Sequence, residues 1–222
     1  MAPSGGGDEA SRAMSGVLDR FIPRPDARRR HEITIHAPAS VVLEVAREFD
    51  MQSIGLVRAI IRLRGVMLGA RTPARRQPAG LLSEMLGMGW GRLAEEPDRF
   101  FVAGAACQPW VADVVFTTIA PESFAAFSTS DQVKIVWTLE SRALGPARSR
   151  FATETRVVAT DEIARAKFRR YWRLFGIGMV AIRWLLLPAL RRTSERRWRS
   201  APSGLEDPAF GTPTASMPQP RP

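Results

Sequence analysis

Apolar and small side chains recur every three or four residues between positions 160 and 190 of the 222-residue chain. This spacing predicts one long helix, whose inner face carries Ala164, Phe168, Tyr171, Phe175, Gly178, Met179, Ile182 and Leu186. Thr160 or Asp161 can cap its first free N–H groups, and Pro188 is expected to end it. So long a helix needs a large apolar partner, which a curved sheet would supply.

Alternation of polar and apolar residues predicts strands at residues 31–36, 111–119, 132–141 and 151–159, and a hairpin that turns at Pro97-Asp98. Each of the last two strands has an apolar or neutral face and a charged face. Ile135, Trp137 and Leu139 oppose Lys134, Thr138 and Glu140, while Phe151, Thr153, Thr155 and Val157 oppose Glu154 and Arg156. The pairing is expected to align the two apolar faces, which gives a sheet with one face towards the long helix and one towards water.

Two short helices are predicted after the first strand. The first begins near Pro38 and has Val42, Leu43, Ala46 and Phe49 on its inner face. The second runs from about Ser53 to Arg64, with Gly65 as its expected end. A loop over residues 69–80 follows, and residues 81–86 add a helical turn.

The order of strand, two helices, antiparallel strands and one long helix predicts an α+β helix-grip fold, in which a curved antiparallel sheet wraps around the C-terminal helix. Several segments support this reading: HEITIHAPASVVLEVAREFD, LVRAIIRLRG, RLAEEPDRFFVAG, Trp110, VKIVWTLE and TETRVVATDEIARAKFRRYW. Over residues 24–195 the chain resembles the SRPBCC superfamily of START-like and polyketide-cyclase-like proteins, in a bacterial branch. This resemblance implies a ligand cavity. The superfamily includes carriers, receptors and cyclases without a shared catalytic motif, so no functional residue is carried over.

Composition separates one domain from two tails. Residues 1–22 and 196–222 are rich in Gly, Pro, Ser and Ala, or in charged residues, without sustained periodicity, and are expected to be disordered. Residues 23–195 form the predicted helix-grip domain. The first twenty residues lack the apolar run of a secretory signal, so a cytoplasmic protein is expected.

The formal charge of +10 does not by itself indicate a nucleic-acid partner. Half of the excess lies in the flanking segments RPDARRR and RRTSERRWR, and only Lys134 and Lys167 are lysines. No zinc-finger spacing, RNA-binding aromatic motif or helix-turn-helix is recognisable. Solvated basic faces are the preferred interpretation, and weak contact with anionic membranes stays open.

Few residues suit catalysis or metal binding. Cys107 is the single cysteine, which excludes an intramolecular disulfide, and it is interpreted as a small core residue. His31 and His36 lie five apart on one strand and cannot share a metal ion. Glu154 and Arg156 are interpreted as part of a solvated charge ladder, with a polar pocket as the alternative. We therefore expect no cofactor, no metal and no catalytic residue.

Residues 174–190 form an apolar run that contains one charge, Arg183. The run is at the short limit for a membrane span, and a central arginine would cost about 2.5–3.5 kcal/mol there. A buried core helix with a partly exposed arginine is preferred. An interfacial helix on a bilayer is the alternative.

Gly176 and Gly178 either pack closely against a ring or leave space between helix and sheet. Together with the fold, the second reading predicts non-catalytic binding or carriage of a hydrophobic or amphipathic small molecule, such as a lipid or polyketide-like compound. The expected cavity lining is Ile135, Trp137, Leu139, Thr153, Thr155, Tyr171, Phe175, Gly178 and Met179. One alternative is a cyclase or hydratase that uses Tyr171, Glu154 or a histidine, and another is a membrane-surface protein. The sequence leaves the oligomeric state open.

Overall fold

A computed structural model describes residues 13–50, 54–69 and 80–200, apart from the side chain of Met179. Its elements are α1 (residues 13–19), β1 (Ala27–Ile35), α2 (Ala39–Glu48), α3 (Gly55–Leu68), α4 (Leu81–Gly87), β2 (Gly91–Glu96), β3 (Phe100–Cys107), α5 (Pro121–Phe124), β4 (Val133–Gly145), β5 (Arg148–Ala159) and α6 (Glu162–Ser200). The predicted elements occur in the predicted order, except that residues 111–119 form no strand and that α1 and α5 were not predicted.

The strands form one antiparallel sheet in the order β1-β5-β4-β3-β2. Ile135 pairs with Val157 and Trp137 with Thr155, which places the predicted apolar faces of β4 and β5 on the same side. The long helix α6 lies over that side, called here the inner face. This arrangement confirms the α+β helix-grip fold.

Helix α6 touches the inner face through two separate apolar clusters. Near its start, Ala164, Phe168 and Tyr171 pack with Val133, Val157 and Cys107. Near its far end, Leu187 and Leu190 pack with a larger cluster that also contains Ile35, Leu139, Phe151 and the buried side of α2. The middle of α6 therefore bridges the centre of the sheet between two anchored ends.

The predicted cap of α6 is confirmed. The N–H of Ala164 donates to Asp161 Oδ1 at 2.7 Å, while the Thr160 hydroxyl donates to the Gln132 carbonyl. The predicted end at Pro188 is wrong, because the helix continues through this residue to Ser200. A proline inside a helix costs about 3 kcal/mol. Burial of Leu190 on the far side of Pro188, at 5% exposure, offsets part of that cost.

The opposite side of the sheet, called here the outer face, is not open to water as predicted. Met14, Leu18, Phe21 and Ile22 pack there against Val102, Ala106, Val136 and Phe124. Residues 13–22 therefore belong to the folded unit, and the predicted boundary at residue 23 is wrong. The apolar spacing of residues 14, 18, 21 and 22 fits one helix face and was obscured by the Gly- and Ser-rich residues around it.

Three further boundaries differ from the predictions. Helix α3 continues past Gly65 to Leu68 and is capped by Gly69, whose left-handed backbone (φ 74°) suits glycine. Residues 111–119 contribute only an isolated bridge between Thr117 and Ala106 within the described chain, not a strand. Residues 196–200 belong to α6, where Arg197 pairs with Glu44 and Glu48 of α2. Residues 1–12, 201–222 and most of the predicted 69–80 loop lie outside the described residues.

Candidate functional site

The centre of the inner face is accessible although it lies in the middle of the sheet and under α6. Ile135 and Trp137 on β4 and Thr155 on β5 are each partly exposed, whereas Val133 and Leu139 at the two ends of the same row are buried. Partial exposure at these neighbouring positions means that space for at least a water molecule lies beside them. The candidate site is therefore this gap beside the sheet centre.

A polar group from the helix enters this gap. Arg183 is 8% exposed, and its Nη2 donates a hydrogen bond to Thr155 Oγ1. Among the described residues, Arg183 has no acidic ion-pair partner. The preferred interpretation of the apolar run is thus inverted: its one arginine is buried, while Leu174, Ile177 and Trp184 are 64%, 79% and 71% exposed. The position of Arg183 in α6 therefore places its side chain on the side of the helix that faces the sheet.

Strands β1 and β5 bring further polar groups to the same place. His31 lies directly opposite Thr153, and Arg29 directly opposite Thr155. Facing residues of this kind have Cβ atoms about 4.5–5.5 Å apart. His31 Nε2 and Thr153 Oγ1 are both buried, and neither has a hydrogen-bond partner in the described part of the chain. The inner face therefore carries unused hydrogen-bonding capacity beside a buried cation.

The two arginines make this cluster positive, whereas protonation of His31 is disfavoured. Burial, and then the charges of Arg183 and Arg29, lower the pKa of His31. Burial also lowers the pKa of Arg183, and the charge of Arg29 adds to this effect. Arginine is not deprotonated in proteins, so Arg183 is a buried cation. The lowered pKa favours neutral His31 at neutral pH, and a neutral imidazole can donate through one ring nitrogen.

The predicted lining residues occupy different parts of the inner side. Ile135, Trp137, Thr153 and Thr155 lie at or beside the accessible centre. Tyr171 and Phe175 stack on each other at 5.0 Å near the first anchored end of α6. Leu139 is 2% exposed within the second cluster, so it offers almost no surface to a ligand. The Met179 side chain lies outside the described residues.

Gly178 contacts a helix rather than the sheet. A Cβ built on Gly178 would lie 3.3 Å from Ile60 Cγ2 on α3, and no sheet atom lies within 4 Å of it. The sequence alternatives were a ring contact or ligand space. At Gly178 the structure instead shows a close approach to α3, which lies beside the middle of α6, whereas a Cβ on Gly176 would lie 3.3 Å from the Trp172 ring.

Tyr171 is held at the edge of the site by Arg64 of α3. Arg64 Nε donates to Tyr171 Oη at 3.2 Å, and Arg64 Nη2 donates to the carbonyls of Pro109 and Val111. These bonds tie α3, α6 and the segment after β3 together. Nearby Cys107 is buried, and burial raises its pKa to about 12. Its thiol is therefore protonated and unsuited to nucleophilic chemistry.

Glu154 and Arg156 lie on the outer face, away from the site. They are 1% and 2% exposed, so the solvated charge ladder is wrong. Arg156 Nε donates to Glu154 at 2.7 Å, and its other nitrogens bond the Ile22 carbonyl, the Ser15 hydroxyl and Asp19. Burial opposes ionisation of Glu154, but hydrogen bonds from Arg156 and Arg28 outweigh it and lower the pKa. This network fixes α1 to the sheet and excludes Glu154 as a group of the inner site.

The outer face also contains a groove of about 150 Å³ between α1 and strands β2–β4. Its lining includes Met14, Phe100 and Arg142, and none of the predicted cavity residues. Within the described ranges, no group of three His, Cys, Asp or Glu side chains is placed to hold a metal ion.

Sequence reasoning did not place Arg183 or Arg29 at the site, and it named a histidine only for the enzyme alternative. The signals were present. Arg183 is the single charge in an apolar run, and His31 shares the period-two face of Ile33 and Ile35. The sequence could not show that β1 pairs with β5. This pairing joins residues that are more than 120 positions apart in the chain.

Helices α3 and α6 expose a broad apolar surface on the side away from the sheet. Leu63, Val66 and Met67 of α3 are 60%, 78% and 59% exposed, in addition to the α6 residues named above. Helix α6 is long and apolar enough, by length and composition, to cross a membrane, and 12% of its most apolar stretch is buried. By itself this is weak evidence, because core helices of globular domains meet the same criterion.

No family model and no curated protein matches the chain. Several solved structures are similar to it, among them the following three. The Zhui aromatase/cyclase from a Streptomyces species is 14% identical with a TM-score of 0.29, over 79% of this chain and 98% of that one. A hypothetical protein of Helicobacter pylori is 12% identical with a TM-score of 0.37, over 79% and 93%. DR_A0006 of Deinococcus radiodurans is 14% identical with a TM-score of 0.28, over 68% and 99%. Scores this low carry no argument, so the fold assignment rests on strand order, register and α6.

Proposed function

We propose that the protein binds and carries a hydrophobic or amphipathic small molecule between the sheet and α6. The observation that supports this function best is the accessible surface of Ile135, Trp137 and Thr155 in the middle of the sheet, where a packed core would bury all three. Small-molecule sites are concave and mostly apolar, with a few polar groups that orient the ligand. The sheet centre with Arg183 and Thr155 has this composition.

Two measurements test the proposal. Native mass spectrometry of gently purified protein is expected to show a co-purified small molecule. In addition, Ile135→Phe should fill the gap and weaken binding of the neutral apolar dye Nile red at unchanged stability. Val158→Phe is the matched control, since Val158 is also partly buried but lies on the outer face of β5. Equal loss of dye binding in both variants, or in neither, would contradict the assignment.

A cyclase- or hydratase-type enzyme is a second candidate, supported by His31. An acid–base catalyst needs a group with a usable proton acceptor inside the site, and the unpartnered Nε2 of His31 meets that geometric requirement. The Glu154 candidate is excluded by its place on the outer face. His31→Gln would abolish turnover of a polyketide-like substrate but would leave binding of an inert ligand intact if this candidate is correct. Unchanged turnover would reject it.

Contact with an anionic membrane surface is a third candidate. The exposed apolar residues of α3 and α6 alternate with arginines, and neither α3 nor residues 163–194 contain a single Asp or Glu. Apolar residues combined with an excess of cations favour binding to anionic bilayers. The protein should float with vesicles that contain phosphatidylglycerol and should float less with vesicles of phosphatidylcholine alone. The variant Trp184→Ser should float less than the wild type with the anionic vesicles. Ile163→Ser, equally exposed but outside the apolar run, is the control. Equal flotation with anionic and with neutral vesicles would reject this candidate.

A further inference from the structure

Arg183 differs from the other deeply buried arginine of the described chain. On the outer face, Arg156 is surrounded by Glu154, Asp19 and a backbone carbonyl. On the inner face, Arg183 makes one hydrogen bond within the described residues, to the neutral hydroxyl of Thr155. A buried guanidinium without a counter-charge is unfavourable. An anion that joined Arg183 would remove that penalty and use its remaining N–H donors.

Donors for such an anion surround Arg183. The Thr155 hydroxyl accepts from Arg183 and keeps its own proton to donate. Thr153 Oγ1 and His31 Nε2 are buried and have no partner among the described residues. The register places His31 opposite Thr153 and next but one to Arg29 on the same strand face. Three side chains thus converge on Arg183 with unused hydrogen-bonding capacity.

The number of buried cations at the site limits the charge that a matching anion carries. Arg29 is exposed, donates to the Arg28 carbonyl and lies 5.9 Å from the Trp172 ring, so its guanidinium lies at the solvent-exposed rim of the site. One buried cation matches one negative charge, and a planar guanidinium matches a carboxylate. Beside these groups, Ile135 and Trp137 offer apolar surface.

We propose that the site binds an amphiphile with a single carboxylate, held by Arg183 with Thr153, Thr155 and His31, while its apolar tail lies against Ile135 and Trp137. This inference rests on the proposed carrier function and specifies the class of its ligand.

Displacement of Nile red by dodecanoate and by dodecan-1-ol tests the proposal, because the two probes share a tail and differ in the head group. A charge-assisted contact to one arginine favours the acid by about tenfold to a hundredfold. Arg183→Met should remove this preference, and the exposed Arg173→Met on the same helix should keep it. Equal displacement by acid and alcohol, or a preference that survives Arg183→Met, overturns the carboxylate site but leaves the carrier function standing. If Nile red, acid and alcohol all fail to bind, the carrier function falls as well.

A measurement on the unaltered protein does not depend on the folding of any variant. The chain has two histidines, so their NMR signals are readily separated, and His31→Gln assigns them. A carboxylate beside His31 counteracts the charges of Arg183 and Arg29 and should raise the pKa of His31 when dodecanoate binds. Dodecan-1-ol should cause no such rise. Identical titration of His31 with both probes would overturn the proposal.

Discussion

Arg156 and Arg183 are both almost fully buried, at 2% and 8% exposure. The first has carboxylates around it and fixes α1 to the sheet; the second faces a hydroxyl and a neutral histidine. Residue type and burial alone would not separate these roles. The distinction comes from their partners, which the fold supplies from opposite faces of β5.

Glu154 is the centre of the outer-face network, with arginine nitrogens from Arg156, Arg28 and Arg30 at 2.7, 2.8 and 3.4 Å. Glu154→Gln keeps the shape but removes the charge that these arginines share. We expect the free energy of unfolding to fall by about 3–5 kcal/mol in urea titrations. Glu32→Gln, which removes a more exposed partner of Arg30, should cost less than about 1 kcal/mol. Similar losses in both variants would show that burial does not increase the contribution of Glu154 to the free energy of unfolding.

His31 should make stability sensitive to mild acid. Its pKa in the folded protein is lowered by burial and by Arg183 and Arg29, so the unfolded chain takes up the proton first. Stability is therefore full above about pH 6.5 and is lost as the pH falls from there through the folded pKa. His31→Gln should flatten this part of the curve of unfolding free energy against pH, and His36→Gln should not. A wild-type slope that persists in His31→Gln would contradict the assignment.

At the scale of elements, periodicity predicted most of the fold. The spacing of apolar residues was sufficient for α2, α6 and the β4–β5 hairpin, since each has a face that must be buried. It failed where a local rule was outweighed by packing. Pro188 does not end α6, because Leu187 and Leu190 hold the helix to the core on both sides of it. A partly exposed Arg183 was predicted, because nothing in the sequence shows that α6 places this residue against Thr155.

The contact between α3 and α6 gives Gly178 a testable role. Gly178→Ala places a Cβ 3.3 Å from Ile60, which must shift slightly, while alanine favours the helix by up to about 1 kcal/mol. We expect little net change in stability. Gly178→Leu should cost about 1–3 kcal/mol by overpacking, and Ile60→Ala in the same chain should recover part of it. If Gly178→Leu instead weakens Nile red binding at constant stability, the glycine faces the ligand as the sequence suggested.

At the scale of the whole molecule, the sheet separates two functions. The inner face and α6 form the candidate site, and the outer face is closed by α1 and a network of charges. The inner half could be predicted from the sequence, including four of the residues at its centre: Ile135, Trp137, Thr153 and Thr155. The outer half could not, because α1 is short, lies within a Gly- and Ser-rich segment, and finds its partners far along the chain, from β3 to β5.

Removal of the N-terminal segment should therefore destabilise the domain. Met14, Leu18, Phe21 and Ile22 are each at most 4% exposed, and a buried side chain of this kind contributes about 1.5–3 kcal/mol. We expect deletion of residues 1–22 to lower the melting temperature by about 6 °C or more. Deletion of residues 1–12, which spares all four side chains, is the control for the shorter chain. An unchanged melting temperature after the longer deletion would mean that α1 contributes nothing to the fold.

The docking of α1 also sets an order of events during synthesis. Asp19 and Arg156, which join α1 to β5, are 137 residues apart. At about 5–20 residues per second, a ribosome needs about 7 to 27 seconds to pass from one to the other. Throughout that interval α1 has been made but the strand that carries its ion-pair partner Arg156 has not. Helix α1 is thus made well before its docking can be completed, and a chaperone that covers short apolar segments would bind it in the meantime.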